Sequence, residues 1–302
     1  MPELPDLTIY LDALDQRLIG QTMTGVRITN PFILRTVEPH VDNFRGKRML
    51  ASRRIGKRMV LEFEEKLFIV VHLMIAGRLR WYKAGAKVPG KFGLMAFDFD
   101  VGTLILTEAG QKHRASVHFV NGEEDLNSFN AGGIEVMLSS FEEFRAALSK
   151  ENHTLKRSMT DQRFLAGIGN AYSDEILHRA RISPMRQVKY LSDEQWQSLF
   201  DATQSVVTDW TEILRKKCSG HFPMKVTAFH DEMAVHGKYK QPCPDCGKLV
   251  QRIRYATNEC NYCAVCQNQG NLLADRGLSR LLKKDWPKTL EDLDQLPLKN
   301  KP

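Results

Sequence analysis

Cys243-Pro244-Asp245-Cys246, followed after sixteen residues by Cys263-Ala264-Val265-Cys266, is the stretch from which the organisation of this chain can be read. Two Cys-x-x-Cys pairs at this separation suit one tetrahedral Zn²⁺ held between the two knuckles of a β-hairpin, a closed structural site. Five of the six cysteines fall between Cys243 and Cys266. The N-terminus is acidic and lacks an apolar h-region, so no secretory signal is expected and the cluster reads as metal-binding rather than disulfide-forming. Cys260 adds an ambiguity, because Cys260-Asn261-Tyr262-Cys263 is also a Cys-x-x-Cys. The preferred ligands are Cys243, Cys246, Cys263 and Cys266, with Cys260 left as a spare thiol.

Upstream of this module, assigned to residues 236–270, the pattern is helical. Trp196, Leu199, Phe200, Val206, Val207, Trp210, Ile213 and Leu214 recur at helical spacing behind a capping box at Ser192 and Gln195. An earlier helix starts near Asn170 and is broken by Ser183-Pro184. Together these define a helical domain over 150–235. The Asn-, Ser- and Gly-containing stretch within 126–149 reads as a linker. Before it, residues 1–125 hold one amphipathic helix (Leu7 to Leu18) and a series of short β-rich segments: 25–30, 60–64, 67–74, 94–100 and 103–107. Strands at this spacing predict a β-sandwich. The fold class is therefore α+β and multidomain, with a C-terminal extension over 271–302 carrying one more helical pattern.

A net charge of +7 and a pI near 9.0 favour an anionic partner, most simply nucleic acid. The longest apolar run, Leu67 to Leu79, contains His72 and Arg78 and is shorter than the ~20 residues of a membrane span. It reads as a buried strand, and a cytoplasmic, nucleoid-associated protein without membrane attachment is expected.

Three further features bear chemistry. The chain opens Met1-Pro2-Glu3-Leu4-Pro5-Asp6. Loss of Met1 would free the secondary amine of Pro2, and an α-amino group titrating near ~7.7–8.0 is partly neutral at pH 7 and nucleophilic toward an aldehyde or acetal carbon. Glu3 beside it can move protons. The stretch from Phe44 to Val60 carries Arg45, Lys47, Arg48, Arg53, Arg54, Lys57 and Arg58 without an acidic residue, suited to a phosphate-binding groove. Gly167-Ile168-Gly169-Asn170 precedes a helix, where backbone N–H groups can point at an anion. Asn170 can cap that helix or donate its amide to a phosphate oxygen.

Taken in order, Pro2-Glu3-Leu4-Pro5, Arg54-Ile-Gly-Lys57, Asp161-Gln162 with Ala166-Gly-Ile-Gly-Asn170, Val235-His-Gly-Lys238 and the cysteines ending Cys266-Gln267 resemble the formamidopyrimidine-DNA glycosylase / endonuclease VIII family. The resemblance spans about residues 2 to 267. It implies that the helical domain is of the helix–two-turns–helix type, that the cysteines form a zinc finger, and that the partner of a monomeric protein is damaged double-stranded DNA. It also implies a base-excision-repair glycosylase with lyase activity. Pro2 would attack C1′ of a flipped-out nucleotide, Glu3 would shuttle protons, and Lys57 would contact DNA near the lesion. Arg54, Lys156 and Asn170 would hold the DNA backbone.

The chain departs from the family pattern at four places. Asp6 stands where the family has Glu. Asn258 occupies the position of a zinc-finger Arg whose bidentate phosphate contact Asn does not supply. The loop Thr107 to Ala115 and the residues Met74-Ile75 replace the family's void-filling wedge, leaving Ile75, Lys112 or Arg114 for that task. About 35 residues follow Gln267. These departures motivate the alternative of a non-catalytic binder of damaged or structured DNA.

Overall fold

The computed structural model describes residues 1–110, 114–224, 226–254, 258–275 and 278–295. Lys112 therefore lies outside the described residues. The first of two units comprises Met1–Ala131 and Asp209–Ala228, the second Gly132–Thr208 and Phe229–Pro302.

In the first unit, short segments rich in apolar residues build two four-stranded antiparallel sheets. The strands are β1 (Met23–Ile28), β2 (Met49–Ile55), β3 (Arg58–Phe63), β4 (Leu67–His72), β5 (Gly77–Tyr82), β6 (Gly93–Phe99), β7 (Gly102–Glu108) and β8 (Ser116–Asn121). One sheet runs β1-β6-β7-β5, the other β2-β3-β4-β8. Their inner faces meet through Met59, Leu61, Ile69 and Val71 on one side and Met95, Phe97, Leu104 and Leu106 on the other. Each such fully buried side chain contributes about 1.5–3 kcal/mol. Helix α1 (Leu4–Leu18) adds Leu7, Tyr10, Leu14 and Leu18, a stripe at helical spacing, to the same core. A short helix, α2 (Glu123–Asn127), follows β8.

The apolar run Leu67 to Leu79 is two strands in different sheets, not one. It breaks at 73–76, where Gly77 N–H bonds the Leu73 carbonyl at 2.9 Å. A Cβ on Gly77 would sit 2.3 Å from that oxygen, so the turn requires glycine. Strands β2, β5 and β8 are additions to the sequence reading.

The second unit contains α3 (Phe141–Ser149), α4 (Leu155–Thr160), α5 (Asn170–Arg179), the hairpin β9 (Gln251–Arg254) and β10 (Glu259–Tyr262), α7 (Ala264–Asn268), α8 (Leu278–Leu282) and α9 (Leu290–Gln295). Helix α6 (Asp193–Cys218) begins in this unit and ends in the first. Its Ser192–Gln195 capping box forms, with reciprocal bonds of 3.2 and 3.3 Å. The segment expected as a linker carries α3, opened by a capping box between Ser140 and Glu143 and burying Phe144, Ala147 and Leu148. Leu272, Leu273 and Leu290 of the C-terminal extension pack against Ile253, Tyr262 and Ala264, so the extension braces the hairpin. No helix among the described residues is long and apolar enough to cross a membrane.

Candidate active site and zinc module

Pro2 and Glu3 are buried at the start of α1. Glu3 is the N-cap, and it forms a capping box with Asp6 in which the Glu3 N–H donates to Asp6 Oδ2 at 2.9 Å. Asp6 is fully buried, and its short side chain closes the box without the extra methylene of Glu. Pro5, inside the first turn, has no N–H to satisfy. The N-terminal amine at this corner is that of Met1, directly ahead of Pro2. Burial foremost lowers its proton affinity below the ordinary α-amino value. The Glu3 and Asp6 carboxylates oppose that shift, and the Arg78 and Lys57 cations reinforce it. Pro2, Glu3 and Lys57 are thus brought to one neighbourhood.

Lys57 is held there by the two-residue turn Gly56-Lys57 joining β2 to β3, with Ile55 paired to Arg58 and Gly56 at φ +57°. Arg54 donates from Nη1 to the Gly56 carbonyl at 2.5 Å, bracing the turn that carries Lys57. Sequence reasoning did not single out two neighbours. Arg78, on β5, donates from Nη1 to the Ile75 and Gly77 carbonyls at 3.0 and 2.6 Å. His72 ends β4 with its Nε2 buried and, among the described residues, without a hydrogen-bond partner. Burial foremost, then Arg58, Lys57 and His118, push the His72 imidazole down to about 4, so it is neutral at pH 7. The interruption of an apolar run by His72 was the one available signal.

His72 pairs with Ser116, and Gly77 pairs with Glu108, so residues 73–76 begin and end beside the strand ends that carry 109–110 and 114–115. Ile75, within 73–76, is 60% exposed. The buried Glu108 carboxylate accepts the Arg114 N–H at 3.0 Å and the Ala115 N–H at 3.2 Å, leaving the Arg114 side chain exposed.

The basic stretch is corrected by the fold. It contains no acidic residue, but folding supplies them: Lys47 pairs with Glu65 at 2.6 Å, Arg48 with Glu64 at 2.6 Å and Arg53 with Glu123 at 2.8 Å. Arg58 lies over the Phe129 ring. Most of the seven cations serve the sandwich.

In the second unit, Gly169 is the N-cap of α5 and Asn170 its first residue. Asn170 does not cap; its Nδ2 donates to the Glu259 carbonyl at 2.8 Å. Lys156 is buried and donates to the Asn170 carbonyl at 2.6 Å, Ser173 Oγ at 2.8 Å and Asp174 Oδ1 at 2.5 Å. Asp174 is the hub. It also accepts from His236 Nδ1 at 2.8 Å, Cys260 Sγ at 3.2 Å and the Asn261 N–H at 3.1 Å. Burial raises its pKa, but Lys156 and then His236 outweigh this and hold the carboxyl below its usual range. Next to it, Glu175 accepts the N–H groups of Ala234, Val235 and His236 at 2.8–2.9 Å. The Val235-His-Gly-Lys238 motif is thereby a backbone docked on α5. Replacing Asp174 by Ala would strand a buried ammonium, and a loss of about 3–5 kcal/mol is expected in urea denaturation. A loss below about 1 kcal/mol would show the hub is dispensable.

Cys243, Cys246, Cys263 and Cys266 place their sulfurs within 4.8 Å of one another. A zinc ion about 2.3 Å from each sulfur needs sulfurs about 3.8 Å apart. Cys243–Cys266 and Cys246–Cys263 separate by 3.9 and 3.4 Å, so the set fits the ion. Cys260 points away, into Asp174, which resolves the ambiguity left by its spacing. Gln267 accounts for its place after the last cysteine: Oε1 accepts the Cys263 N–H at 2.9 Å and Nε2 donates to the Ile182 carbonyl at 3.0 Å. Asn258 is exposed at the foot of β10.

A β-sandwich with a buried N-terminal corner, a helical unit and a four-cysteine hairpin define an α+β protein of the helix–two-turns–helix, zinc-finger class. The sequence profile of the formamidopyrimidine-DNA glycosylase N-terminal domain matches residues 1–116, and that of the formamidopyrimidine-DNA glycosylase H2TH domain matches residues 133–218. An uncharacterized formamidopyrimidine-DNA glycosylase-like protein of Mycobacterium tuberculosis is 38% identical over 151 residues, covering 50% of this chain and 94% of that relative. The formamidopyrimidine-DNA glycosylase of Wolbachia sp. subsp. Brugia malayi is 26% identical over 279 residues, covering 89% of this chain and 100% of the relative. Among solved structures, the Lactococcus lactis enzyme in complex with FAPY-dG-containing DNA aligns with a TM-score of 0.77 at 25% identity, over 88% of this chain and 100% of that one. A complex of the same enzyme with abasic-site DNA aligns equally well, at 0.77 and 25%. The chain belongs to the formamidopyrimidine-DNA glycosylase family.

Proposed function

We propose that this protein is a DNA glycosylase of base-excision repair that also cleaves the strand at the resulting abasic site. Its partner is damaged duplex DNA, the ligand class named for its structural relatives. The observation that carries the reading is the N-terminal corner: Pro2 and Glu3 are buried together at the start of α1, with Lys57 in electrostatic reach. The freed Pro2 nitrogen attacks C1′, the C1′–N bond to the damaged base breaks, and the base leaves. Glu3 delivers a proton to the ring oxygen as the sugar opens to a Schiff base. That cation acidifies the C2′ proton, whose loss expels the 3′ phosphate by β-elimination; δ-elimination then releases the 5′ phosphate.

Lys57, with the neutral His72 near it, and Asn170 are assigned to phosphates, and Ile75 and Arg114 to the space left by the flipped base. Arg54 and Lys156 act one step back: Arg54 holds the Lys57 turn, and Lys156, with three donors committed within the protein, holds the start of α5. One Zn²⁺ on Cys243, Cys246, Cys263 and Cys266 is structural, ordering the hairpin rather than touching substrate.

The test is borohydride trapping on a duplex with one abasic site. Met1-free protein is expected to give a covalent adduct mapped to Pro2, and protein with any residue ahead of Pro2 is expected to give none, because an acylated nitrogen is not nucleophilic. No adduct from verified Met1-free protein overturns the lyase assignment. The second reading, a non-catalytic binder, is favoured by Asn258 in place of a phosphate-binding Arg, and it predicts duplex binding without turnover.

A further inference from the structure

Several contacts among the described residues dock the zinc module at the C-terminal end of α5 and just beyond it. Gln267 reaches the Ile182 carbonyl, and Arg181 pairs with Asp245, inside the first Cys-x-x-Cys, at 2.7 Å. A further contact is made directly to a metal-ligand atom: His178 Nε2 lies 3.3 Å from Cys243 Sγ. His178 is 3% exposed, and the same nitrogen is 3.7 Å from Asp245 Oδ2.

Four thiolates around Zn²⁺ leave the cluster with a formal charge of −2, and such a cluster in a partly buried site is stabilised by N–H groups aimed at the sulfurs. The chain supplies them unevenly. Cys263 Sγ accepts the backbone N–H of Cys266 at 3.4 Å, and Cys246 accepts the backbone N–H of Lys248. At Cys243, the buried imidazole of His178 faces the sulfur. The four sulfurs already complete a tetrahedron, so the imidazole has no coordination position to fill, and a thiolate next to Nε2 selects the tautomer with its hydrogen there.

We infer that His178 is an outer-sphere residue of the zinc site, donating Nε2–H to the Cys243 thiolate and so tying metal affinity to helix α5. The inference rests on the four-thiolate zinc reading. Asn170 opens the same helix, two turns or about 12 Å before His178. One rigid element therefore joins a metal-ligand contact at one end to the bond from the Asn170 side-chain amide to the hairpin at the other.

The experiment measures zinc content of the purified full chain, zinc affinity by chelator competition, and the Co²⁺-substituted absorption spectrum. Wild type is expected to hold one zinc per chain and to give a tetrahedral thiolate–cobalt spectrum. His178→Phe, which keeps the bulk and removes the donor, should weaken zinc binding about 10- to 100-fold and shift the sulfur-to-cobalt charge-transfer band. His178→Gln, which retains an N–H, should recover most of the affinity. Arg181→Gln removes docking without touching a sulfur and should leave the band in place. Unchanged affinity and spectrum in His178→Phe overturn the inference. If His178→Phe does not fold, wild-type-like values in His178→Gln support it, and values matching an Ala substitution overturn it. A wild type with neither zinc nor a tetrahedral cobalt spectrum would instead overturn the zinc reading itself.

Discussion

Glu3→Gln is expected to lower turnover on a lesion-containing duplex by about 10²–10⁴-fold while changing duplex affinity less than about threefold. Three features make this substitution informative. Glu3 is buried at the helix N-cap, so a larger or smaller residue would disturb α1 and the core beneath it. Gln has the same shape and keeps a carbonyl oxygen for the Asp6 N–H, and the backbone bond from Glu3 to Asp6 does not involve the side chain. Stability should therefore change by less than about 1 kcal/mol. What Gln cannot do is carry a proton to the opening sugar. Single-turnover rates and duplex titrations on the same preparations separate the outcomes. A wild type that binds but turns over no faster than Glu3→Gln would establish the binding reading, and a Glu3→Gln enzyme with wild-type rates would remove Glu3 from the chemistry.

Much of this was legible before any coordinates, for reasons particular residues make plain. Strands β3, β4, β6 and β7 declared themselves by composition, and α6 by a buried stripe running from Trp196 to Leu214. Strand β5 was hidden because Leu73, Met74 and Ile75 continue the apolar run through a turn that only the close approach at Gly77 reveals. Helix α3 was hidden in a polar segment, although its Ser140–Glu143 box was there to be read. The basic stretch misled because ion-pair partners at Glu62, Glu64, Glu65 and Glu123 are set by strand and helix placement rather than by local sequence. The hub at Asp174 joins residues 156, 174, 236 and 260. No periodicity connects positions so far apart. Spacing located the four cysteines that cluster, but it could not separate Cys260 from them; the direction of one thiol did.

Removing zinc, by chelation or by Cys263→Ala, is expected to unfold the β9–β10 hairpin while the β-sandwich survives. Each strand has four residues, and a two-stranded hairpin of that size is marginal in water. Structural zinc in finger modules supplies about 10–16 kcal/mol of apparent binding energy at pH 7, and without it the thiols must take back protons. Burial foremost pushes the Cys263 thiol up to about 11, so without metal that thiol is protonated near neutrality. Loss of the hairpin also withdraws the Cys260 and Asn261 donors from Asp174 and the Glu259 carbonyl from Asn170. Lys156 and His236 still neutralise Asp174, so α5 should loosen at its start rather than melt. Hydrogen exchange reads each of these. Amides of β9, β10 and residues 234–237 should lose protection, and those of β4 and β7 should keep theirs. Duplex affinity should fall at least about tenfold, a cost of about 1.4 kcal/mol or more, because Asn170 and the hairpin no longer hold one geometry. Retained protection in β9 and β10 of metal-free protein would mean that the braces from Leu272, Leu273 and Leu290 suffice, and that the four cysteines are not what folds this module.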